Sequence, residues 1–537
     1  MADIRRASAA LASGTVVSRA LGFVNAVVLA WVLGQTNQGA NAFALANQLP
    51  NNVYAIVAGG LLTAILVPHI VRAAAHADGG QQFVNRLVTL GIVAFLAIAA
   101  LATAAAPLLV GLYTLGNDDD ALAGGGIALA VALAFWCLPQ IFFYAVYSLL
   151  GEVLNARGVF GPFTWAPVLN NVVAIGTLVL FAATFGADPA HRDPAAWGGA
   201  EITLLGAGTT LGVAAQALVL TLFWRRTGLG FRPDFRWRGA GLRAPARAAG
   251  WTFAAILATQ VAGVVQSNIA LTADADDPSV AVLRTTWLVF MLPHSIIAVS
   301  IATPYFTRMS TYARDGNLGS IAADLSASLR TVGLLVTGAG VALAAATLPF
   351  AAFFATDPGE ARAIAAVLLA YLIGLVPFSA LFLIQRAFYA LGDTRTPFFL
   401  QLGQAVLFTI GAFAALAAPS EWRAVGIALA TSAAGIVHAV VAAIVLRRRL
   451  GRRGGARATR RFGLYALAAI PAAAAGVGAL ALLGGFEARG FAVSGRLPEL
   501  VSVIAIGAAA GLVYLAVLRV GRVPELRGLL PRRRSGE

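Results

Sequence analysis

The 537-residue chain has no lysine: all 38 of its Lys-plus-Arg residues are arginine. This excludes a Walker-type phosphate loop, which needs a lysine to reach the nucleotide phosphates, and any lysine Schiff base. The chain therefore does not power itself with ATP through its own Walker site. It has one cysteine, Cys137, in an apolar run, so no internal disulfide can form. Its five histidines, His69, His76, His191, His294 and His438, are scattered without metal-ligand spacing. No nucleophile–base string or acid/base pair stands out. Neither a metal, a cofactor nor an enzyme activity is expected. Charge of either sign is scarce, at 11% of residues, too little to cover the surface of a water-soluble protein of this length.

What the chain does have is apolar length. Hydrophobic residues make up 59% of it, and the mean hydropathy is +0.81. Runs of roughly 18 or more apolar residues recur from end to end, as membrane-spanning helices require. The predicted class is an all-α polytopic membrane protein. Fourteen spans are expected: 10–33, 43–71, 84–113, 122–150, 161–185, 201–224, 246–271, 280–306, 323–355, 361–390, 397–418, 423–446, 462–484 and 498–519. The first is read as a span and not a signal peptide, because no small-residue cleavage site follows a short apolar core.

A net charge of +15 would suggest nucleic acid in a soluble protein; here topology accounts for it, and no nucleic-acid partner is expected. The N-terminus and the loops after even-numbered spans, with the C-terminal tail and Arg330, hold 31 of the 38 arginines. The loops after odd-numbered spans read "GNDDD", "DPAHRDP", "ADADDPS", "DPGEAR" and "SEWR". The positive-inside rule then puts both termini in the cytoplasm, which requires an even number of spans. The basic run 447–461 sets topology and could also hold anionic lipid headgroups.

Two stretches repeat. "LPQIFFYAVYSLLGEVLNARGVFGPF" starts at Leu138 and "VPFSALFLIQRAFYALGDTRTPF" at Val376; Pro139 to Arg157 and Pro377 to Arg395 are both 18 residues. A looser pair is "LPNNVYAIVAGG" at Leu49 and "LPHSIIAVSIAT" at Leu292. Each pair is six spans apart, which predicts parallel repeats. The expected organisation is a six-helix lobe over 1–235, a second over 236–450, and two added helices with a basic tail over 451–537. Prolines within these spans free backbone carbonyls, as helices around a cavity do; ordinary kinks would look the same.

Polar side chains inside spans are costly, so each is a candidate. The first span offers Ser18, Arg19 and Asn25. Arg19 lies about 9 Å along the helix from Ser13, at 1.5 Å per residue. It could snorkel to the headgroups, or face a cavity and pair bidentately with a phosphate. The second span offers Asn47 and Asn51, which share a helix face, beside Gln48 and Asn52; such amides serve as helix–helix glue or as ligand contacts. The seventh offers Gln260, Gln266, Ser267 and Asn268. In the eighth, Arg284 near the outer end reads as snorkelling, and His294 could line a cavity or bond a neighbouring helix. Arg157 and Arg395, at equivalent places in the two lobes, could form an inner gate with Asp393, or Asp393 could cap a turn.

The strings "SRALGFVNAVVLAWVLG", "NAFALANQLPNNVYAIVAGGLLTAILVP", "LPHSIIAVSIATPYFTRMS" and "RAFYALGDTRTPF" resemble the MviN/MurJ family of the multidrug/oligosaccharidyl-lipid/polysaccharide exporter superfamily, in order across about 1–450. The resemblance implies a flippase for a polyprenyl-pyrophosphate disaccharide-pentapeptide, with a cationic central cavity and a groove at helices 13 and 14 for the lipid tail. Arg19 falls on the family's cavity arginine. The chain departs from many members where they carry further charges: at Asn25, across Tyr54 to Gly60, and near Leu288. It looks like a variant of GC-rich Gram-positive type. Spans 246–271 and 397–418 contain no acid, so the sodium site of some members is not carried over.

The mechanism expected is alternating access of two lobes in a bacterial plasma membrane. Arg19 takes the pyrophosphate while the lipid tail stays in lipid. Ser18, Asn25, Asn47, Asn51 and His294 are the other candidate contacts. The partners expected are the lipid-linked oligosaccharide and membrane lipids, and the chain is expected to be a monomer. The rivals are a flippase for another polyprenyl-linked glycan and a multidrug/cation antiporter of the same superfamily, which would want a carboxylate in the first lobe's cavity. A sugar-phosphate transporter should show a G-x-x-x-D-R-x-G-type string, which is absent. A non-transporting scaffold would have no use for doubled lobes and internal polar residues.

Overall fold

The structure is a computed structural model that describes residues 2–61, 78–115, 122, 125–159, 161–236, 243–451, 455–487 and 490–529, with side chains over most of them. Residues 62–71 of the second expected span, Arg72, the "GNDDD" loop and the last eight residues lie outside the described residues.

Among the described residues there is no strand, and twelve helices are long and apolar enough to cross a membrane. A thirteenth span is a bent pair, Pro358–Leu372 and Leu375–Ala390, with 43° between its halves. The second expected span is present as Gln38–Leu61, rich in Asn and Gln. The count of fourteen remains an expectation there.

The helices in chain order are α1 (Ala2–Leu33), α2 (Gln38–Leu61), α3 (Gln81–Ala104), α4 (Ala106–Tyr113), α5 (Gly126–Cys137), α6 (Gln140–Ala156), α7 (Gly161–Phe185), α8 (Gly199–Leu218), α9 (Arg243–Ala270) and α10 (Val280–Pro293). There follow α11 (Val299–Arg314), α12 (Leu318–Ala345), α13 (Thr347–Phe354), α14 (Pro358–Leu372), α15 (Leu375–Ala390), α16 (Arg395–Ala414), α17 (Ser420–Arg449), α18 (Gly455–Leu482), α19 (Arg496–Val520) and α20 (Pro524–Leu529). They form two compact units, residues 1–281 and 282–537. The seventh expected span, α9, packs on α2 within the first.

The sequence repeat has a counterpart in where helices break. The third expected span splits at Ala105 into α3 and the eight-residue α4; the ninth splits at Ala346 into α12 and the eight-residue α13. Each short helix carries a proline in its first turn, Pro107 or Pro349, where a missing N–H costs nothing. The fourth span breaks at Leu138–Pro139 and the tenth at Ile373–Gly374, each close to the start of a repeated stretch.

In the first unit α3, α6 and the 3₁₀ turn Val219–Thr227 that follows α8 share a core: Val84, Val88, Phe95, Leu149, Val153 and Leu220 are buried together. α7 and α8 cross closely because Gly208 and Gly212 face Thr177 and Asn170. In the second unit α18 and α19 pack on α12 through Leu334, Tyr465, Ala468 and Tyr514.

Candidate functional site

α1 shows two different faces. Gly14, Ser18 and Gly22 recur every four residues and meet α7: Gly14 lies against Trp165, Gly22 lies near Asn171, and the Asn171 amide donates to the Ser18 carbonyl at 2.9 Å. Asn25, seven residues after Ser18, shares this face by helical periodicity; its Oδ1 is buried without a hydrogen-bond partner. Arg19 points elsewhere and is exposed, six residues into the membrane-spanning part of α1, Ser13–Leu33. Ser18 is therefore engaged in packing through its backbone, and Arg19 is the open cation of the membrane-spanning part of this helix, Ser13–Leu33.

α2 carries two amide stripes one residue apart. Gln48 and Asn52 are helix glue: Gln48 donates to Ser267 Oγ at 3.1 Å, Asn52 donates to the Tyr113 hydroxyl at 3.0 Å, and the Asn52 carbonyl accepts from Gln260 at 2.7 Å. Asn268 donates to Leu112 O at 3.0 Å and Val264 O at 2.9 Å. Asn47 and Asn51 lie off this stripe. Asn47 is half-buried and Asn51 exposed. Tyr54, where related proteins are expected to carry charge, packs at 5.7 Å from Tyr144 and 6.4 Å from Phe95, so that stretch has become an aromatic contact.

His294 opens a wide π turn, His294–Ala298, just after Pro293. It is 3% exposed, lies 3.1 Å from Ser379 Oγ through Nδ1, and stands edge-on to Phe378 and Phe382. In this structure its ring joins helices inside the second unit.

The three gate candidates are each engaged within their own unit. Arg157 donates to the carbonyl of Gly79, in the turn that opens α3, and its Nε is buried without a partner. Asp393 accepts the Thr396 N–H at 2.9 Å, capping α16, and pairs with Arg449 at the end of α17. Arg449 also donates to Thr396 Oγ1 at 2.9 Å. Burial pushes the Asp393 carboxyl up, but Thr396 and Arg449 outweigh it and hold its pKa below the ordinary value. Arg395 lies over the Phe399 ring, 5.7 Å from its centroid.

The second unit also holds an apolar groove of 490 Å³ between α12, α15, α17 and α18. Leu325, Leu329, Pro377, Ile384 and Val440 line it, and among the described residues Arg447 is its one charged lining residue.

With this geometry in view, the family described as "Lipid II flippase MurJ" matches residues 29–502. The chain belongs to the MurJ family. It is 26% identical over 444 residues to the probable lipid II flippase MurJ of Haemophilus influenzae, covering 78% of this chain and 82% of the relative. It is 26% identical over 465 residues to that of Rhizobium meliloti, covering 83% and 81%. A solved lipid II flippase MurJ in an inward closed conformation superposes with a TM-score of 0.72 at 18% identity, over 96% of this chain and 99% of the other. An inward-facing multidrug resistance MATE family transporter of the MOP superfamily gives 0.61 at 17% identity, over 81% and 95%. The likenesses to solved structures establish a shared fold, common to MurJ and to drug exporters.

Two groups escaped the reading of the sequence. Arg449, partner of Asp393, was absorbed into a basic run that topology already explained. Glu152 stands in α6, in "LLGEVLN", half-buried within a membrane-spanning stretch. A lone acid inside an apolar run was the available signal for it.

Proposed function

We propose that this chain is a lipid II flippase, moving the polyprenyl-pyrophosphate-linked disaccharide-pentapeptide across the plasma membrane by alternating access. The family match carries the assignment, and Arg19 carries the site: a permanent cation exposed within a membrane-spanning helix. Asn47 and Asn51 supply neutral contacts for the headgroup, and Asn25, with its unfilled buried carbonyl oxygen, is a third. Ser18 contributes by fixing α1 on α7, and His294 by holding its unit together. A guanidinium suits a pyrophosphate because its fork meets two oxygens at once. The groove on the second unit suits a long hydrocarbon tail: its lining is almost wholly apolar, so the tail is held without directional bonds.

Both termini lie in the cytoplasm on this reading, and a monomer suffices. Arg157, Asp393 and Arg395 hold the turns at the ends of their spans, where lobes that rock would close. Membrane potential biases a moving unit charge by about 2.3 kcal/mol per 100 mV, enough to favour one position of an Arg19-bearing cavity.

The test is made in the native host. Depletion should trap lipid-linked precursor in the inner leaflet, and wild type should relieve it. Arg19→Ala should relieve it about tenfold less well, as expected for losing a charge-assisted contact. Arg19→Lys should fall between. Absence of trapping on depletion, with no second flippase present, would assign another cargo. Equal relief by Arg19→Ala would keep the cargo and take the site away from Arg19.

A further inference from the structure

Arginines and a tyrosine on two spans converge beside one end of the apolar groove, and the flippase reading uses none of them. Arg330 on α12 donates from Nε to Glu525 Oε1 at 2.7 Å and from Nη1 to Ser326 Oγ at 2.8 Å. Arg461 on α18 brings its Nε to 3.9 Å from Glu525 Oε2. One turn further on, Tyr465 is 0% exposed, and its hydroxyl faces Glu525 without coming within normal hydrogen-bond length of it. Glu525 Oε2 is buried and lacks one as well. Glu525 belongs to the short C-terminal helix α20, which Val523 and Leu526 anchor in the α12–α18–α19 core.

The polar balance is incomplete. Among the described residues two guanidiniums face one carboxylate, which leaves a positive charge in excess, and the buried Tyr465 hydroxyl beside that carboxylate makes no hydrogen bond of normal length. A phosphate ester has more acceptor oxygens than a carboxylate and takes arginine bidentately. The cluster is also continuous with the groove: Ser326, held by Arg330, and Phe462, next to Arg461, both line it. A lipid with its chain in the groove would have its headgroup beside Arg330.

We propose that Arg330, Arg461 and Tyr465 form a subsite for a lipid phosphate, and that Glu525 occupies it here as a tethered competitor. The ligand class is a phosphate esterified to a long hydrocarbon, either a polyprenyl phosphate or an anionic phospholipid. The subsite shares no residue with the Arg19 site and stands whichever lipid is flipped.

The full-length protein in mild detergent is offered undecaprenyl phosphate, phosphatidylglycerol or phosphate-free diacylglycerol, and bound lipid is read by native mass spectrometry. Glu525→Ala should raise retention of a phosphate lipid about fivefold, the effect of removing one ion-pair competitor. Diacylglycerol should not respond. Adding Arg330→Gln and Arg461→Gln should abolish the gain. The phosphate lipid that gains identifies the source. No gain for either phosphate lipid, or a gain that survives loss of both arginines, overturns the subsite. If Glu525→Ala unfolds on heating earlier than wild type, Glu525→Gln keeps the shape without the charge and carries the same expectation.

Discussion

Asp393 sits where two hydrogen-bond donors and one cation outweigh its burial, and the consequence for stability has a definite sign. Its folded pKa is depressed, so the stabilisation is fully present above the unfolded value of about 3.9 and is lost as pH falls below that, through the folded pKa. Asp393 therefore contributes nothing to any pH dependence between about 5 and 8. Arg449 is 45% exposed, so the pair is worth only about 0.5–1 kcal/mol. A double-mutant cycle with Asp393→Asn and Arg449→Ala, followed by thermal unfolding in detergent, should give a coupling of that size at pH 7 and a smaller one at an acid pH below the unfolded value. Equal coupling at both pH values would mean packing, not charge, joins the two. The same scale shows what a sequence can and cannot disclose. Amides inside the second span were legible, because polar groups there are rare. Which pair met α9 was not, because one position along a helix turns a side chain by about 100°. Gln48 and Asn52, not Asn47 and Asn51, proved to be the glue.

Helices were legible as apolar runs, but their breaks were not. Ala105 and Ala346 end helices inside runs that read as continuous, since an alanine carries no sign of a terminus and the proline that helps start the next turn also occurs in kinks. Close approach is the other property that only packing reveals. A Cβ on Gly208 would lie 2.2 Å from Thr177 Cγ2 and 2.9 Å from its Cβ, so Gly208→Val must push α8 off α7. The expected cost is about 1–3 kcal/mol, seen as a lower unfolding temperature; an unchanged midpoint would mean the crossing has slack. Beside α3 an extended segment supplies a different kind of joint. The N–H groups of Gly230, Arg232 and Asp234 donate to Gln81 Oε1, Asn85 Oδ1 and Thr89 Oγ1 at 2.9, 3.3 and 3.0 Å. Alternate residues of this extended segment meet every fourth residue of α3, and Arg86 adds an ion pair to Asp234 at 3.1 Å. Asn85→Leu removes the central acceptor and leaves the Arg232 N–H without it. Trypsin should then cut after Arg236, whose next residue unlike that of Arg232 is not proline, sooner than in wild type, and equal cutting would show that the flanking bonds hold the segment alone.

For the whole molecule the decisive question is which of its polar exposed positions meet water. A thiol reacts with a charged maleimide as the thiolate, which forms in water and not in hydrocarbon. The native Cys137 is 0% exposed and should stay unlabelled in the folded protein, so single cysteines can be added without removing it. Asn51 is exposed on α2 and Leu101 is 70% exposed on α3. Accessibility alone does not distinguish them, but polarity does: an amide turned to lipid would forfeit its hydrogen bonds, whereas a leucine there loses nothing. Asn51→Cys should therefore label in membranes with a membrane-impermeant maleimide, and Leu101→Cys should not. Alternating access adds a directional requirement. Asn51→Cys should react from the cytoplasmic face of inverted vesicles in one conformational population and from the outer face of intact cells in the other, with the ratio shifting when membrane potential is collapsed. Labelling from one face only, under every condition, would leave an aqueous pocket without a transport cycle. Labelling of Leu101→Cys as fast as Asn51→Cys would remove the amide stripe from the substrate path and leave Arg19 to bind the headgroup without it.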